Sequence, residues 1–389
     1  MSAGHRPDVV DVVVIGAGIV GAACCYYLAR AGLKVAVIER GAVAAGTTGA
    51  GEGNILVSDK EPGPELELAQ LSVRLWRQLD DVLGPDAELE PKGGLVVAAG
   101  PEERRQLDEF AAAQAAAGVE VRTVGPAGLR DLEPHLADGL AGGVLYPEDM
   151  QVQPMMAAAL MLRAARDLGA ELRLHEEVTA IETAAGRAAG VRTSAGGLSA
   201  GLVVNAAGTW AGELAARAGL ALPVLPRRGF IVVTEPLPRM IRHKVYTADY
   251  VANVASGSAG LEISTVVEAT ASGTVLIGAS RERVGFDRTS SMNIVGTLAA
   301  HAVRLFPVLA GVRAIRFYRG FRPYCPDHLP VIGSDSRLPG LLHACGHEGA
   351  GVGLAPATGY LIAQTATGQT APVSLAPFDP GRFEELSRA

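Results

Sequence analysis

No run of lysines or arginines occurs in the 389 residues, and the formal net charge is −7. A polyanion is held by clustered cations, so nucleic acid is excluded as the main partner and a small molecule is the expected ligand. Cysteine is equally scarce. Cys24, Cys25, Cys325 and Cys345 form neither a C-x-x-C pair nor the Cys/His spacing of a zinc site. They read as reduced thiols of a cytoplasmic protein, and no metal site is expected. No apolar stretch reaches the roughly 18 residues that a spanning helix needs, because Arg30, Lys34 and Glu39 interrupt the longest candidate. The first apolar run, from Val9, is broken by Asp11, which is unlike a secretory signal. Internal repeats are absent, and the one biased stretch, Phe110 to Ala117, is alanine-rich and favours helix. With 49% hydrophobic and 19% charged residues, the chain has the composition of a folded globular protein of two lobes.

Val12-Val13-Val14-Ile15 is a β-branched run suited to a strand buried on both faces, and it leads into Gly16-Ala17-Gly18-Ile19-Val20-Gly21. Ala22 to Ala31 has helical composition and Gly32 closes it. Val35 to Ile38 is a second buried-type strand ending in Glu39. In this order each glycine has its own physical reason. Gly16 permits a tight turn, Gly18 admits a pyrophosphate to the backbone, and Gly21 lets helix and strand pack closely. The helix N-terminus, with Ile19 and Val20, offers unpaired N–H groups and a positive dipole end to phosphate. Glu39 is placed to accept hydrogen bonds from both ribose hydroxyls and to disfavour a 2′-phosphate. The alternative is a glycine-rich turn with no ligand.

The fingerprint does not distinguish NAD from FAD, but the stretch beyond Arg40 does. Gly46-Thr47-Thr48-Gly49-Ala50-Gly51-Glu52-Gly53-Asn54 is small and hydroxylated with no apolar period, suited to wrapping a ligand, whereas an NAD unit more often proceeds to another helix and strand. Gly16 to Arg40 together with Thr47 to Asn54 resembles the D-amino-acid oxidase (DAO) type of FAD-dependent oxidoreductase, a family that includes glycine oxidase, sarcosine oxidases and bacterial amino-acid dehydrogenases. Three later segments resemble it in the same order: Glu176-Glu177-Val178, Val203 to Trp210, and Gly320-Phe321-Arg322-Pro323 continuing to Gly346-His347-Glu348-Gly349-Ala350-Gly351. The likeness spans nearly the whole chain.

The resemblance implies FAD held by Gly16, Gly18, Ile19, Val20, Gly21, Glu39, Arg40, Thr47, Thr48, Asn54, Val178, Ala207, Gly208, Trp210 and Gly346 to Gly351. The backbone N–H groups of that last loop would stabilise negative charge on the reduced ring. Pro356 is expected in the first turn of the next helix, which runs through Ala366. In monomeric sarcosine oxidase a cysteine seven residues before a Pro-Asp pair carries the flavin covalently; the matching position before Pro326-Asp327 is Arg319, so FAD is expected to be non-covalent. Arg322 matches the arginine that clamps the substrate carboxylate in glycine oxidase, and a bidentate pair in a dry pocket contributes about 1.5–3 kcal/mol. Pro323 holds Arg322 extended. The bland alternative for Arg322 is a structural ion pair with Asp327. Tyr250 and Tyr318 are candidates to close the pocket or bind the carboxylate, without a choice between them. His347 is read as shaping the flavin environment rather than moving protons, and Gly349 stands where glycine oxidase has an arginine.

The expected fold is α/β: a discontinuous Rossmann-like FAD-binding domain from residues 9–83, 151–219 and 320–389, and a β-rich substrate domain from 84–150 and 220–319. In the first insertion, strand Gly94–Ala99, a helix from Pro101 and strand Val119–Val124 are predicted. The function implied is oxidation of the C–N bond of a small amino or imino acid by hydride transfer to flavin N5. His243 to Val251 and Gly273 to Arg283 look closest to subunits of opine oxidase, D-hydroxyproline dehydrogenase and cyanide-forming glycine dehydrogenase. That implies electron-transfer partner subunits. The rivals are a non-catalytic or electron-passing flavoprotein subunit, and an NAD-binding module.

Overall fold

The computed structural model describes residues 9–254 and 256–383. Strand β1 (Val9–Ile15), helix α1 (Ile19–Arg30) and strand β2 (Val35–Glu39) succeed one another as the sequence pattern predicts. Val12, Val13 and Val14 are fully buried, which is why β1 reads as an unbroken apolar run rather than an alternating one. The sheet order is Val331–Ser334, Leu341–Cys345, Gly196–Asn205, β1, β2 and Glu171–Leu174. All neighbours from Leu341–Cys345 to Glu171–Leu174 are parallel. The first half of Gly196–Asn205 also pairs antiparallel with Arg187–Thr193, which pairs in turn with Val178–Ala184.

Helix Gly351–Ala366 packs on α1 at backbone contact: a Cβ added to Gly359 would lie 2.5 Å from the carbonyl carbon of Ala23. Pro356 does not stand in the first turn of this helix. The helix begins at Gly351, so Pro356 lies inside it. The glycines at 351 and 353 belong to the helix rather than to the loop before it, which moves the start ahead of the expected position.

The second sheet has the order Ala314–Tyr324, Leu225–Thr234, Val275–Arg281, Glu262–Ala269, Lys244–Thr247, Gly94–Ala98, Gly142–Tyr146 and Arg122–Val124. Its one parallel pair joins Lys244–Thr247 to Gly94–Ala98, merging the two chain insertions into one sheet. Helix Met292–Leu305 covers it with a separate apolar core built around Phe230, Val232, Leu298 and Phe306. Its start is capped by Ser291, whose hydroxyl accepts from the Ile294 N–H (3.4 Å).

The α/β class is as expected, with three differences in detail. The strand predicted at Val119–Val124 is only Arg122–Val124, Gly94–Ala98 stops one residue early, and the boundary expected at Gly320 falls inside the continuous strand Ala314–Tyr324. That strand pairs with Leu225–Thr234 from Ala314 to Tyr324, so Arg322 belongs to the second sheet. Among the described residues no helix is long and apolar enough to cross a membrane.

Candidate active site

A cavity of about 340 Å³ is lined by both sheets. The first sheet presents its carboxyl ends there, through Ile15, Ile38, Ala206 and Ala344, which is where open parallel sheets bind ligands. At its start the turn is glycine-dependent. Gly16 has φ +107°, and a Cβ there would meet the Ala206 carbonyl oxygen at 2.5 Å. A Cβ on Gly21 would lie 2.0 Å from the Gly16 carbonyl oxygen. Gly21 thus acts by letting α1 close on the turn, and it does not line the cavity.

Thr48 Oγ1 accepts from the Ile19 N–H (3.0 Å), whereas the N–H groups of Val20 and Gly21 find no acceptor among the described residues. Each Glu39 oxygen takes one backbone donor, Ala17 N–H at 2.9 Å and Gly41 N–H at 2.8 Å. A carboxylate has about four lone-pair sites, so two stay open for hydroxyl donors. Arg40 lies over the Trp210 ring at 4.0 Å, and Trp210 stacks on Phe286 with centroids 5.3 Å apart. Val178, Ala207 and Gly208 complete this wall.

The C-terminal glycine loop supplies a second helix N-terminus. Gly351, Val352 and Gly353 have N–H groups without a backbone acceptor among the described residues, the usual condition of a first turn. The Glu348 and Ala350 N–H groups are by contrast engaged, with the Pro323 and His347 carbonyl oxygens (both 2.9 Å). Glu348 takes φ +46°, and its carboxylate accepts from Arg227 Nη1 (2.5 Å) and bonds His328 Nδ1 (2.9 Å). Burial alone would raise its pKa, but the His328 and Arg227 bonds hold it below the usual carboxylate range.

Burial lowers the His347 pKa to about 3, so the imidazole is neutral. Its Nε2 lies 2.9 Å from Thr358 Oγ1, which donates to the Leu354 carbonyl. The ring thus bonds the helix through Nε2. Gly346 and Ala350 do not line the main cavity; a Cβ on Gly346 would lie 2.5 Å from Cys325 Sγ, so this glycine serves a turn and a close packing.

The second sheet contributes Gly229, Ile231, Ala279, Gly320 and Arg322. Arg322 makes one hydrogen bond, from Nη1 to the Ser280 carbonyl oxygen (2.9 Å), and no ion pair among the described residues. Asp327, the alternative partner, is bound instead by Arg382 at 2.7 Å. Burial first, and then the neighbouring Arg281 charge, depress the Arg322 pKa. The guanidinium is thus a half-buried cation with no ion pair among the described residues.

Its position is fixed on both sides. Thr47 and Thr209 hydroxyls both donate to the Phe321 carbonyl oxygen (2.6 and 2.7 Å), and the Pro323 carbonyl takes the Glu348 N–H. Gly229 leaves the room: a Cβ there would sit 2.1 Å from Arg322 Nη1.

Tyr250 lines the cavity and packs edge-on against Tyr246, whose hydroxyl bonds Ser58. Tyr318 does not. It shares the strand face of Gly320 and Arg322, but its hydroxyl donates to the Gly51 carbonyl (3.1 Å) and the Gly51 loop covers it. Of the 23 predicted residues, Gly21, Gly346, Ala350 and Tyr318 stay off the lining, and the other 19 meet there.

Sequence reasoning assigned nothing to Glu52 or Lys244, which the fold brings together. Lys244 Nζ lies 3.3 Å from Glu52 Oε2, 3.4 Å from Glu268 Oε2 and 2.5 Å from Asn54 Oδ1. Glu52 and Lys244 stand 192 positions apart, so no local signal could have paired them.

A β-α-β phosphate cradle that shares one cavity with a half-buried cation fits a protein that binds a dinucleotide cofactor beside an anionic ligand. Residues 11–365 match the DAO family of FAD dependent oxidoreductases, and the chain belongs to it. The cofactor is therefore FAD, and the open amides of α1 and of Gly351–Val352, with the spare acceptors of Glu39, fit such a group. Among curated relatives, hydrogen cyanide synthase subunit HcnC of Pseudomonas aeruginosa is 31% identical, covering 96% of each chain. Glycine oxidase of Geobacillus kaustophilus is 30% identical over 95% of this chain and 96% of its own. Its crystal structure superposes with a TM-score of 0.87 at 29% identity, covering 96% of this chain and 99% of that one. L-proline dehydrogenase from P. horikoshii gives 0.88 at 25% identity, covering 98% and 99%.

Proposed function

We propose that this protein oxidises the C–N bond of a small amino or imino acid, with Arg322 holding the substrate carboxylate. The observation that carries the reading is a half-buried guanidinium lining the cavity, with one neutral hydrogen-bond partner and no ion pair among the described residues. Such a charge is unfavourable until an anion reaches it, and a bidentate carboxylate both neutralises it and fixes orientation. Similarity to a glycine oxidase and an L-proline dehydrogenase supports the same class of substrate.

Bound FAD supplies the hydride acceptor. The protein's part is placement: Arg322, fastened through Phe321 and Pro323, sets the substrate carbon, and Tyr250 closes the wall beside it. His347 is neutral and bonded to Thr358, so it moves no proton. The cofactor lobe is proposed to comprise the first sheet with Gly351–Ala366, and the substrate lobe the second sheet. Likeness to a cyanide synthase subunit supports a partner subunit that takes the electrons onward.

The test is anaerobic mixing of FAD-loaded protein with glycine, sarcosine, D-proline, D-hydroxyproline and an opine, monitoring flavin bleaching. Bleaching by at least one, lost in Arg322→Ala, is expected. An oxidised flavin with every member would overturn the reading.

A further inference from the structure

The cavity holds a second unsatisfied charge. The Glu52 side chain is 6% exposed and lines the same cavity as Arg322, Tyr250 and Ala279. Its Oε2 is well supplied, by Asn54 Nδ2 at 2.9 Å and Lys244 Nζ at 3.3 Å. Its Oε1 is buried and has no hydrogen-bond partner among the described residues. A buried carboxylate oxygen left so is unfavourable unless a donor reaches it.

Lys244 faces two carboxylates, Glu52 and Glu268, and Glu268 is fully buried away from the cavity, where burial pushes its carboxyl pKa up. Gly278 packs against the same oxygen of Glu52: a Cβ there would lie 2.3 Å from Glu52 Oε1. Two residues along the same strand, the Ser280 carbonyl orients Arg322. A bare carboxylate oxygen and a bare guanidinium therefore flank Ala279 on one strand.

We propose that Glu52 is the amine-binding residue of this cavity, accepting a hydrogen bond at Oε1 from the ammonium of a zwitterionic amino or imino acid whose carboxylate Arg322 holds. The inference rests on the amino-acid reading above and deepens it. The pair reads a substrate by two charges of opposite sign, so acids that lack the nitrogen meet a desolvated carboxylate instead of a complement. That penalty makes the site selective for amino over hydroxy or unsubstituted acids. Glu52 contacts substrate in this arrangement, and Lys244 and Asn54 are positioning residues that hold Oε2 and leave Oε1 to the ligand.

The experiment is anaerobic spectral titration of the FAD-loaded protein with paired ligands: glycine against acetate, and D-proline against tetrahydrofuran-2-carboxylate. Glu52→Gln keeps the shape and places an N–H donor toward the cavity. It is expected to weaken the amine-bearing member of each pair roughly 10- to 100-fold, the value of a charge-assisted hydrogen bond, while the nitrogen-free acid binds unchanged or tighter. Arg322→Met weakens both members. Equal loss of both ligands in Glu52→Gln, or of neither, overturns the proposal and leaves Glu52 as a loop anchor paired with Lys244. If Glu52→Gln does not fold, Gly278→Ala presses on the same oxygen and the same selective loss is expected. A wild-type protein that binds none of the four ligands overturns the amino-acid reading itself.

Discussion

Replacing Arg322 with methionine separates a ligand-binding charge from a structural one by the size of the stability change. The side chain is half-buried, its one hydrogen-bond partner among the described residues is the neutral Ser280 carbonyl, and both burial and Arg281 work against its charge. Removing a guanidinium held in this way relieves a partial desolvation penalty. Against that stands one lost hydrogen bond and a carbonyl left unpaired, about 1–3 kcal/mol. The two offset, and the net expected for Arg322→Met is a fold within about 1 kcal/mol of wild type.

A residue that completes a buried ion pair behaves differently, since its removal strands the partner charge and costs about 3–5 kcal/mol. The assay is unfolding of both proteins at one fixed FAD concentration, because bound cofactor adds its own stabilisation. Carboxylate affinity is measured on the same samples and should fall roughly 10- to 100-fold, from a lost charge-assisted pair of about 1.5–3 kcal/mol. A variant destabilised by more than about 3 kcal/mol whose ligand affinity is unchanged would refute the reasoning.

Three further outcomes are expected. Gly229→Ala puts a methyl 2.1 Å from Arg322 Nη1 and 2.4 Å from the Ser280 carbonyl oxygen, so isothermal titration should show weakened substrate binding with FAD binding retained. Gly21→Ala forces α1 off the Gly16 carbonyl, 2.0 Å from the new Cβ. At about 1–3 kcal/mol of overpacking, flavin fluorescence titration of the apoprotein should give a roughly 10- to 100-fold weaker complex. Asp149 is fully buried beneath Ser58 and Val57, and burial raises its pKa from 3.8 to about 7. The native state therefore binds more protons than the unfolded chain between about pH 4 and pH 7. Stability conferred by this group is present at low pH and lost as pH rises through that window. Asp149→Asn should flatten the corresponding slope in unfolding measured from pH 4 to pH 8.

The cofactor end of the site was legible because its determinants are local. Val12 to Ile15, the three glycines and Glu39 lie within one β-α-β unit, and each states its conformational need in residue type. The substrate end was legible only through Arg322, since its other walls come from strands paired across long sequence separations. Tyr250 and Tyr318 have the same chemistry. The difference between them is a loop, at Gly51, laid over one of the two. Pro356 misled because proline is at home in a first turn, whereas here the glycines before it already form helix. Glu52 stood in a loop noted for its small residues, and its meaning depends on Lys244 and Gly278, which only the second sheet supplies.

The fastening of Phe321 to Pro323 divides the labour of the pocket. These three residues are tied by hydroxyls of Thr47 and Thr209 and by the Glu348 amide to parts of the chain that build the cofactor's walls. Arg322, the proposed carboxylate holder, is thereby registered to the walls of the proposed cofactor site. Ile231, Ala279 and Tyr250 belong to no such fastening and face the same space. An enzyme wired in this way can exchange one side group of its substrate for another by altering those three positions, with the reacting carbon still delivered to the same point. Diversification in such a scaffold is a matter of upholstery, while the frame that aligns the chemistry is left alone.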